Sequence, residues 1–287
     1  KFCSFCVVPY TRGPEYSRPF KQIIAEAKEL IKNGAKEIIL IGQNVNAYEY
    51  KEKNQKYRLS NLILELDKLP EIKRIRYTTS HPKDMSEDLI DCYRASKKLM
   101  PLIHLPVQSG SNDILKLMNR NHKIEDYLSI YKKLMKVNKK IEFSSDFIIG
   151  YPSESDEDFT KTLDLISKIN FINSYSFIFS PRPGTVAERL SPVDKNISQK
   201  RLKIIQDILF KNQINKNKSF EGKIVDVLVE NKMKNKPHFF GRTEFMTSVI
   251  FEGNFDNIGK IIQVQIEKSN QNTLFGTVLE RINKKVA

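Results

Sequence analysis

Two thiols, Cys3 and Cys6, have the spacing and the chemistry to bind a metal. They form a CxxC pair around Ser4 and Phe5, and a basic loop interrupted by proline and glycine follows them, VVPYTRGP. Thiolates are soft ligands that suit zinc and iron–sulfur clusters. A redox-active pair or one half of a zinc site has the same spacing, so the pair alone leaves these chemistries open.

The composition indicates a globular protein with a polyanionic partner. The chain has 287 residues, of which 40% are hydrophobic and 29% charged, and its net charge is +14. Such an excess of positive charge favours nucleic acid as the partner, although a coding bias towards Lys, Asn and Ile would also raise the net charge. Three cysteines do not form a disulfide framework, which predicts a reducing compartment, the cytoplasm.

No apolar run is long enough to span a membrane, so we expect no membrane partner. No signal peptide is visible, but the sequence starts at Lys1, and residues upstream of it could carry one. Cys92 lies in the helical pattern DLIDCY and is predicted to be a small core residue.

Alternating strands and helices must position the thiols. Short apolar runs that end in Gly, Pro, Ser, Gln or Asn indicate five strands, at Lys36–Ile41, Ile72–Thr79, Leu102–Val107, Ile141–Ile149 and Tyr175–Phe179. Amphipathic helical patterns lie between them, and one begins after the capping sequence Ser155-Asp156-Glu157-Asp158. Apolar strands joined by helices are parallel, so we expect an α/β fold with an open or closed barrel. Functional residues gather at the C-terminal strand ends of such barrels.

The C-terminal part changes to a period of two. Alternating segments at Ile224–Val229, Thr247–Phe251, Ile261–Ile266 and Leu274–Val278 predict a small antiparallel β-barrel of about 65 residues. A last amphipathic helix, Gln199–Asn215, precedes them. The sequence therefore predicts two domains, residues 1–217 and 218–287.

The loop CVVPYTRGPEYSRP resembles the cluster loop of the radical S-adenosylmethionine (SAM) methylthiotransferase family. In that family the pattern is CxxxCxxC with an aromatic residue before the last cysteine, as Phe5 is here, so the first cysteine falls two residues before Lys1. Four further segments in the family's order resemble it too: KEIILIGQNVNAY, HLPVQSGS with LMNR downstream, DFIIGYPSE and SPRPGT. One departure is Ser153-Glu154-Ser155, where the family usually has Gly-Glu-Thr, which puts the local backbone geometry in doubt.

The resemblance implies a partial (β/α) TIM-like radical SAM barrel followed by a TRAM domain, an RNA-binding module. It implies a [4Fe–4S] cluster with Cys3 and Cys6 as two of its three ligands, and SAM, which the cluster cleaves to a 5′-deoxyadenosyl radical. Phe5, Gln43, Gln108 and Arg120 are the candidate SAM contacts, since glutamine can bond ribose hydroxyls and arginine can bind a carboxylate. Arg242 and Thr243 are the candidate RNA contacts.

Together the segments GQNVNAY, HLPVQSGS and SPRPGT resemble the MiaB-type branch, which forms 2-methylthio-isopentenyladenosine next to the anticodon of tRNA. The implied partners are the tRNA anticodon stem-loop and an electron-donor protein. The family's second cluster is held by an N-terminal domain outside this sequence, so the chain alone is not expected to complete the reaction. Two alternatives stay open: the threonylcarbamoyl-adenosine branch, and a non-catalytic RNA-binding protein with a structural zinc.

Overall fold

The computed structural model describes residues 2–234 and 236–279. The strands of the first part are β1 (Glu37–Leu40), β2 (Glu49–Glu52), β3 (Gln55–Arg58), β4 (Arg74–Tyr77), β5 (Leu102–His104), β6 (Glu142–Ser144), β7 (Asp146–Ile149) and β8 (Tyr175–Ile178). Its helices are α1 (Val8–Arg12), α2 (Phe20–Lys32), α3 (Leu59–Asp67), α4 (Glu87–Ala95), α5 (Asn112–Leu117), α6 (Ile124–Val137), α7 (Asp156–Ile169) and α8 (Lys195–Lys218).

The strands pair in chain order and in parallel, as the alternation of strands and helices predicts. β1 pairs with β4, β5 with β6 and β7 with β8. Isolated bridges from Ile75 to Leu99 and from Gln108 to Phe147 link the three pairs. The predicted strand Ile141–Ile149 is divided into β6 and β7 at Ser145. The sequence did not predict the hairpin β2–β3.

All long helices pack on one face of this sheet. Alternate strand residues such as Ile38, Ile75, Phe143 and Phe147 share a single apolar core with residues of α2, α3, α4, α6, α7 and α8. Successive strand residues point to opposite faces, so the intervening residues lie on the other side, which we call the inner face. Among the described residues, no helix is long and apolar enough to cross a membrane.

The C-terminal part is a closed barrel with the strand order β10-β11-β13-β12-β9. Its strands are β9 (Ile224–Lys232), β10 (His238–Arg242), β11 (Ser248–Glu252), β12 (Ile261–Ser269) and β13 (Thr273–Val278). The predicted small barrel is confirmed, with two differences. β10 was not predicted, and the pair β11–β13 is parallel, whereas the other neighbouring pairs are antiparallel.

Two buried arginines of β4 dock the barrel against the inner face. Arg74 donates hydrogen bonds to the carbonyl oxygens of Arg242 (2.7 Å) and Asp226 (2.9 Å). Arg76 donates to the carbonyls of Glu244 (2.7 Å) and Thr243 (3.1 Å) and pairs with Glu37 at 3.1 Å.

The end of α8 provides a second attachment for the barrel. Asn217 is fully buried in α8, and its Nδ2 donates to the carbonyls of Asn270 and Gln271. The predicted domain boundary at residue 217 therefore falls within the last turn of α8. The division into two domains stays a prediction.

Candidate functional site

Ser4 fixes the loop that carries Cys3 and Cys6 to the end of α5, to the segment after β7 and to Ala187. Ser4 is buried, its N–H donates to the carbonyl of Met118 (3.1 Å), and its carbonyl accepts from the N–H of Ala187 (3.0 Å). Its hydroxyl donates to the carbonyl of Leu117 (2.7 Å) and lies 2.8 Å from the hydroxyl of Tyr151. These contacts place both thiols beside the segments that follow α5 and β7. No pattern in the sequence singles out Ser4 or Tyr151, because Ser4 lies 113 residues from Leu117 and 147 residues from Tyr151 along the chain.

Arg120 and Phe5 complete the surroundings of the thiols. Arg120 is buried, and its Nη1 lies 3.7 Å from Cys3 Sγ while its Nη2 donates to the carbonyl of Pro106 (2.5 Å). Phe5 packs against a small apolar cluster with Ile148, and the cluster's buried members are Ile114, Met118, Tyr151, Phe179 and Ala187. Cys3, Phe5 and Arg120, which the sequence proposed separately, therefore lie together at the C-terminal ends of the strands.

The thiols suit a cluster in their chemistry, but two of them do not make a complete ligand set. Cys3 and Cys6 are free and partly exposed, and among the described residues no group of three His, Cys, Asp or Glu could hold a metal. Cys92 differs from them, because it is 1% exposed and burial raises the pKa of its thiol to about 12. Cys92 is thus the core residue that the sequence predicts.

The two candidate glutamines occupy different places. Gln108 is buried beyond the end of β5, where it bonds to β7 in both directions, and its φ of 77° is in the left-handed region. A non-glycine residue in that region is uncommon and is often found at functional sites. Gln43 is exposed and lines a cavity of about 630 Å³ between β1 and the segment that follows α1. Among the described residues, neither glutamine forms a hydrogen bond with Cys3 or Arg120.

Arg242 and Thr243 lie in the barrel turn that docks on β4. Arg242 Nε pairs with Glu230 at 3.0 Å, and its Nη1 donates to the carbonyl of Met246. Thr243 is 1% exposed, and its hydroxyl accepts from the N–H groups of Phe245 and Thr247. Both side chains thus hold the turn together, and their role in RNA contact stays a prediction.

The segment Ser153-Glu154-Ser155 keeps a tight turn in spite of its departure from the family pattern. Ser153 has a φ of 71°, the conformation that a glycine would adopt freely. Glu154 is buried and accepts hydrogen bonds from Gly150 N (2.9 Å) and Arg201 Nη1 (2.7 Å). Burial raises the pKa of Glu154, although Arg201 opposes the shift. Ser155 caps α7 with a capping box, as its sequence predicts.

Two family models match the sequence, and solved structures are similar in fold. The model described as "Radical SAM superfamily" matches residues 1–166, more than half of the chain, and the TRAM domain model matches residues 218–279. Coproporphyrinogen III oxidase from Escherichia coli, described as a radical SAM enzyme, superposes with a TM-score of 0.52 over 96% of this chain and 68% of that one, at 14% identity. The methyltransferase TsrM from Kitasatospora setae superposes with a TM-score of 0.53 over 65% of this chain and 36% of that one, at 16% identity. These likenesses show the fold.

Curated relatives are more similar in sequence. A protein of Pelagibacter ubique named tRNA-2-methylthio-N(6)-dimethylallyladenosine synthase is 68% identical over 100% of this chain and 64% of its own length. A protein of the same name from a Wolbachia pipientis strain is 48% identical over 96% of this chain and 63% of its own length. Another, from Anaplasma phagocytophilum, is 46% identical over 99% of this chain and 65% of its own length. The chain thus spans somewhat less than two thirds of these relatives. From its cysteine loop, its parallel β/α fold and the matching family model, the chain belongs to the radical SAM superfamily and carries a TRAM domain at residues 218–279.

Proposed function

We propose that the chain is the radical SAM core and TRAM domain of a tRNA methylthiotransferase that acts on isopentenyladenosine (dimethylallyladenosine) next to the anticodon. The observation that carries this proposal is the 68% identity, over the whole chain, to a relative named for that reaction. The buried anchoring of the CxxC loop at the C-terminal strand ends supports it, because β/α barrels place their reactive groups there.

Cys3 and Cys6 are proposed to provide two of the three thiolate ligands of a [4Fe–4S] cluster. When bound, the cluster and SAM supply the radical chemistry that the polypeptide itself lacks. The chain's own residues orient and shield the site. Ser4 holds the loop, and Arg120 puts a positive charge beside the Cys3 sulfur. Phe5 turns towards an apolar cluster that excludes water from one side of the loop.

Arg120, Gln108, Gln43 and Phe5 are proposed to bind SAM. The Nε of Arg120 is buried without a hydrogen-bond partner among the described residues, so the guanidinium keeps a donor for a ligand carboxylate.

Gln108→Ala is expected to weaken SAM binding several-fold, as measured by equilibrium dialysis. Gln108→Gly, which also relieves the positive φ, is expected to do the same. If both variants bind SAM within a factor of two of the original chain, Gln108 is not part of the site.

The proposed partners are the tRNA anticodon stem-loop and a protein that donates electrons, and the proposed location is the cytoplasm. The net charge of +14 supports a polyanionic partner. Because phosphate contacts release counterions, binding of the stem-loop is expected to weaken steeply as salt rises.

A competition experiment tests the substrate. A stem-loop with isopentenyladenosine is expected to compete for the chain better than an unmodified one, by roughly tenfold, because the prenyl group can fill an apolar pocket. Equal competition by the two stem-loops would argue against this branch of the family and in favour of the threonylcarbamoyl-adenosine branch. An unmodified stem-loop with a changed loop sequence serves as the control for non-specific binding.

A further inference from the structure

Two exposed aromatic rings lie side by side on the inner face of β8. Tyr175 is 61% exposed and Phe177 is 56% exposed, and their rings are 6.4 Å apart between centroids with planes only 10° from parallel. Aromatic side chains of this size are usually buried, so an adjacent, parallel and exposed pair is a feature that needs a reason.

The strand register fixes the side of the sheet on which the pair lies. Tyr175 pairs with Asp146 and Phe177 with Ile148, and directly paired residues of parallel strands project to the same face. Their neighbours Phe147 and Ile149 are buried in the core under the helices. Among the described residues β8 pairs only with β7, so its other edge forms no strand pair.

The pair lies between the cluster loop and the TRAM barrel. On one side, Ile148, the partner of Phe177 in the register, packs in the same apolar cluster as Phe5, next to Cys6. On the other side, Asn173, two residues before Tyr175, donates a hydrogen bond to the carbonyl of Phe245 in the barrel at 3.0 Å. A ligand that reaches from the barrel to the thiols therefore passes over the two rings.

Charged residues of both signs flank the pair. Asp146, the partner of Tyr175 in the register, lies 3.6 Å from His104 Nε2, and Arg182 follows β8 along the chain. Arg182, in the loop that follows β8, is exposed and makes no ion pair within the described part of the chain. The chain as a whole carries a net charge of +14. Single-stranded RNA is recognised by stacking of unpaired bases on aromatic rings, with arginine on the phosphates.

We propose that Tyr175 and Phe177 form a stacking platform for an unpaired nucleobase of the substrate RNA, with Arg182 on the adjacent phosphate. This inference rests on the proposed function, since it requires RNA as the substrate. The platform holds the loop of the RNA open between the TRAM barrel and the cluster loop, and it delivers the base that is to be modified.

Tryptophan fluorescence tests the contact directly, because the chain contains no tryptophan. In Phe177→Trp the single indole is expected to lose emission when a synthetic anticodon stem-loop is added, as a base stacks on it. Phe210→Trp, at a 44% exposed position on α8, is the matched control and is expected to keep its emission.

Affinity measurements separate the platform from the proposed function. Tyr175→Leu and Phe177→Leu, which keep an apolar side chain but lose the ring, are each expected to weaken stem-loop binding roughly tenfold. Tyr175→Phe and Phe177→Tyr keep the ring and are expected to bind as the original chain does. Far-UV circular dichroism and the melting temperature verify that all variants are folded.

The platform is wrong if the leucine variants bind RNA normally and the emission of the Phe177→Trp variant does not change. In that case the rings are either unused or bound by another protein. It is also wrong if the chain binds no RNA. SAM cleavage by the cluster-loaded enzyme is a separate readout. If cleavage is present while the rings do not affect RNA binding, the proposed function stands without the platform. If RNA stacks on the rings but no cleavage occurs, the RNA contact is supported and the radical SAM step of the proposed function is contradicted.

Discussion

At the scale of single residues, the chain contains two kinds of thiol. Cys92 is buried in α4, where burial raises its pKa to about 12, whereas Cys3 and Cys6 are partly exposed. Because the thiolate is the reactive form, we predict that iodoacetamide at about pH 8 labels Cys3 and Cys6 of the folded, metal-free protein but not Cys92. Peptide mass spectrometry after the reaction measures this. Labelling of Cys92 at the rate of the other two thiols would contradict its assignment to the core.

Ser153 gives a second prediction at this scale. Its φ of 71° is unfavourable for a residue with a Cβ, and its side chain is exposed. We predict that Ser153→Gly raises the free energy of unfolding by about 0.5–1 kcal/mol. The relief of backbone strain in the folded state exceeds the cost of the larger conformational entropy of glycine in the unfolded chain. Urea denaturation measures the change. Ser153→Ala keeps the strain and is the control, so an equal gain from alanine would rule out this explanation.

At the scale of secondary-structure elements, Arg76 on β4 couples the sheet to the barrel. It donates to the carbonyls of Thr243 and Glu244 and pairs with Glu37, and it is only 6% exposed. We predict that Arg76→Met lowers the free energy of unfolding by about 3 kcal/mol, because it leaves Glu37 and the two carbonyls without their partner. Arg58→Met, which removes a half-exposed pair with Asp88, is the control and costs less than about 1 kcal/mol. Similar losses in the two variants would mean that the docking contacts contribute little.

The elements themselves were largely predictable from the sequence. The α7 helix begins at Asp156 after the cap Ser155, and the apolar strands β1, β4, β5 and β8 lie within their predicted ranges, because burial imposes clear patterns on both kinds of element. The hairpin β2–β3 was missed because its residues are mostly exposed and polar and show no such pattern.

The site was predictable only in part. Cys3 and Cys6 are close in sequence, so their spacing is informative. Arg120 lies 117 positions from Cys3, and only the fold brings the guanidinium to the sulfur. Likewise, nothing in the alternation of β10 and β11 indicates that the turn carrying Arg242 and Thr243 faces the arginines of β4.

At the scale of the whole molecule, buried hydrogen bonds join the barrel to the parallel sheet. The arginines of β4 hold the barrel turn, and Asn217 holds the loop at residues 270 and 271. The α8 helix runs to Lys218, close to the start of β9 at Ile224. We predict a single cooperative unfolding transition, followed in urea by far-UV circular dichroism and by the fluorescence of a Phe255→Trp variant in the barrel. Two separate transitions would show that the barrel folds independently.

The most direct test of the central claim is the production of 5′-deoxyadenosine from SAM. It is measured by liquid chromatography under anaerobic conditions, with reconstituted protein that carries the residues upstream of Lys1 and with a chemical reductant. We predict that Cys6→Ala abolishes the product, because a cluster that lacks one ligand cannot hold its open iron in place. Cys92→Ala, the matched control in the core, retains it. Unchanged production by Cys6→Ala would contradict the radical SAM mechanism proposed for this chain.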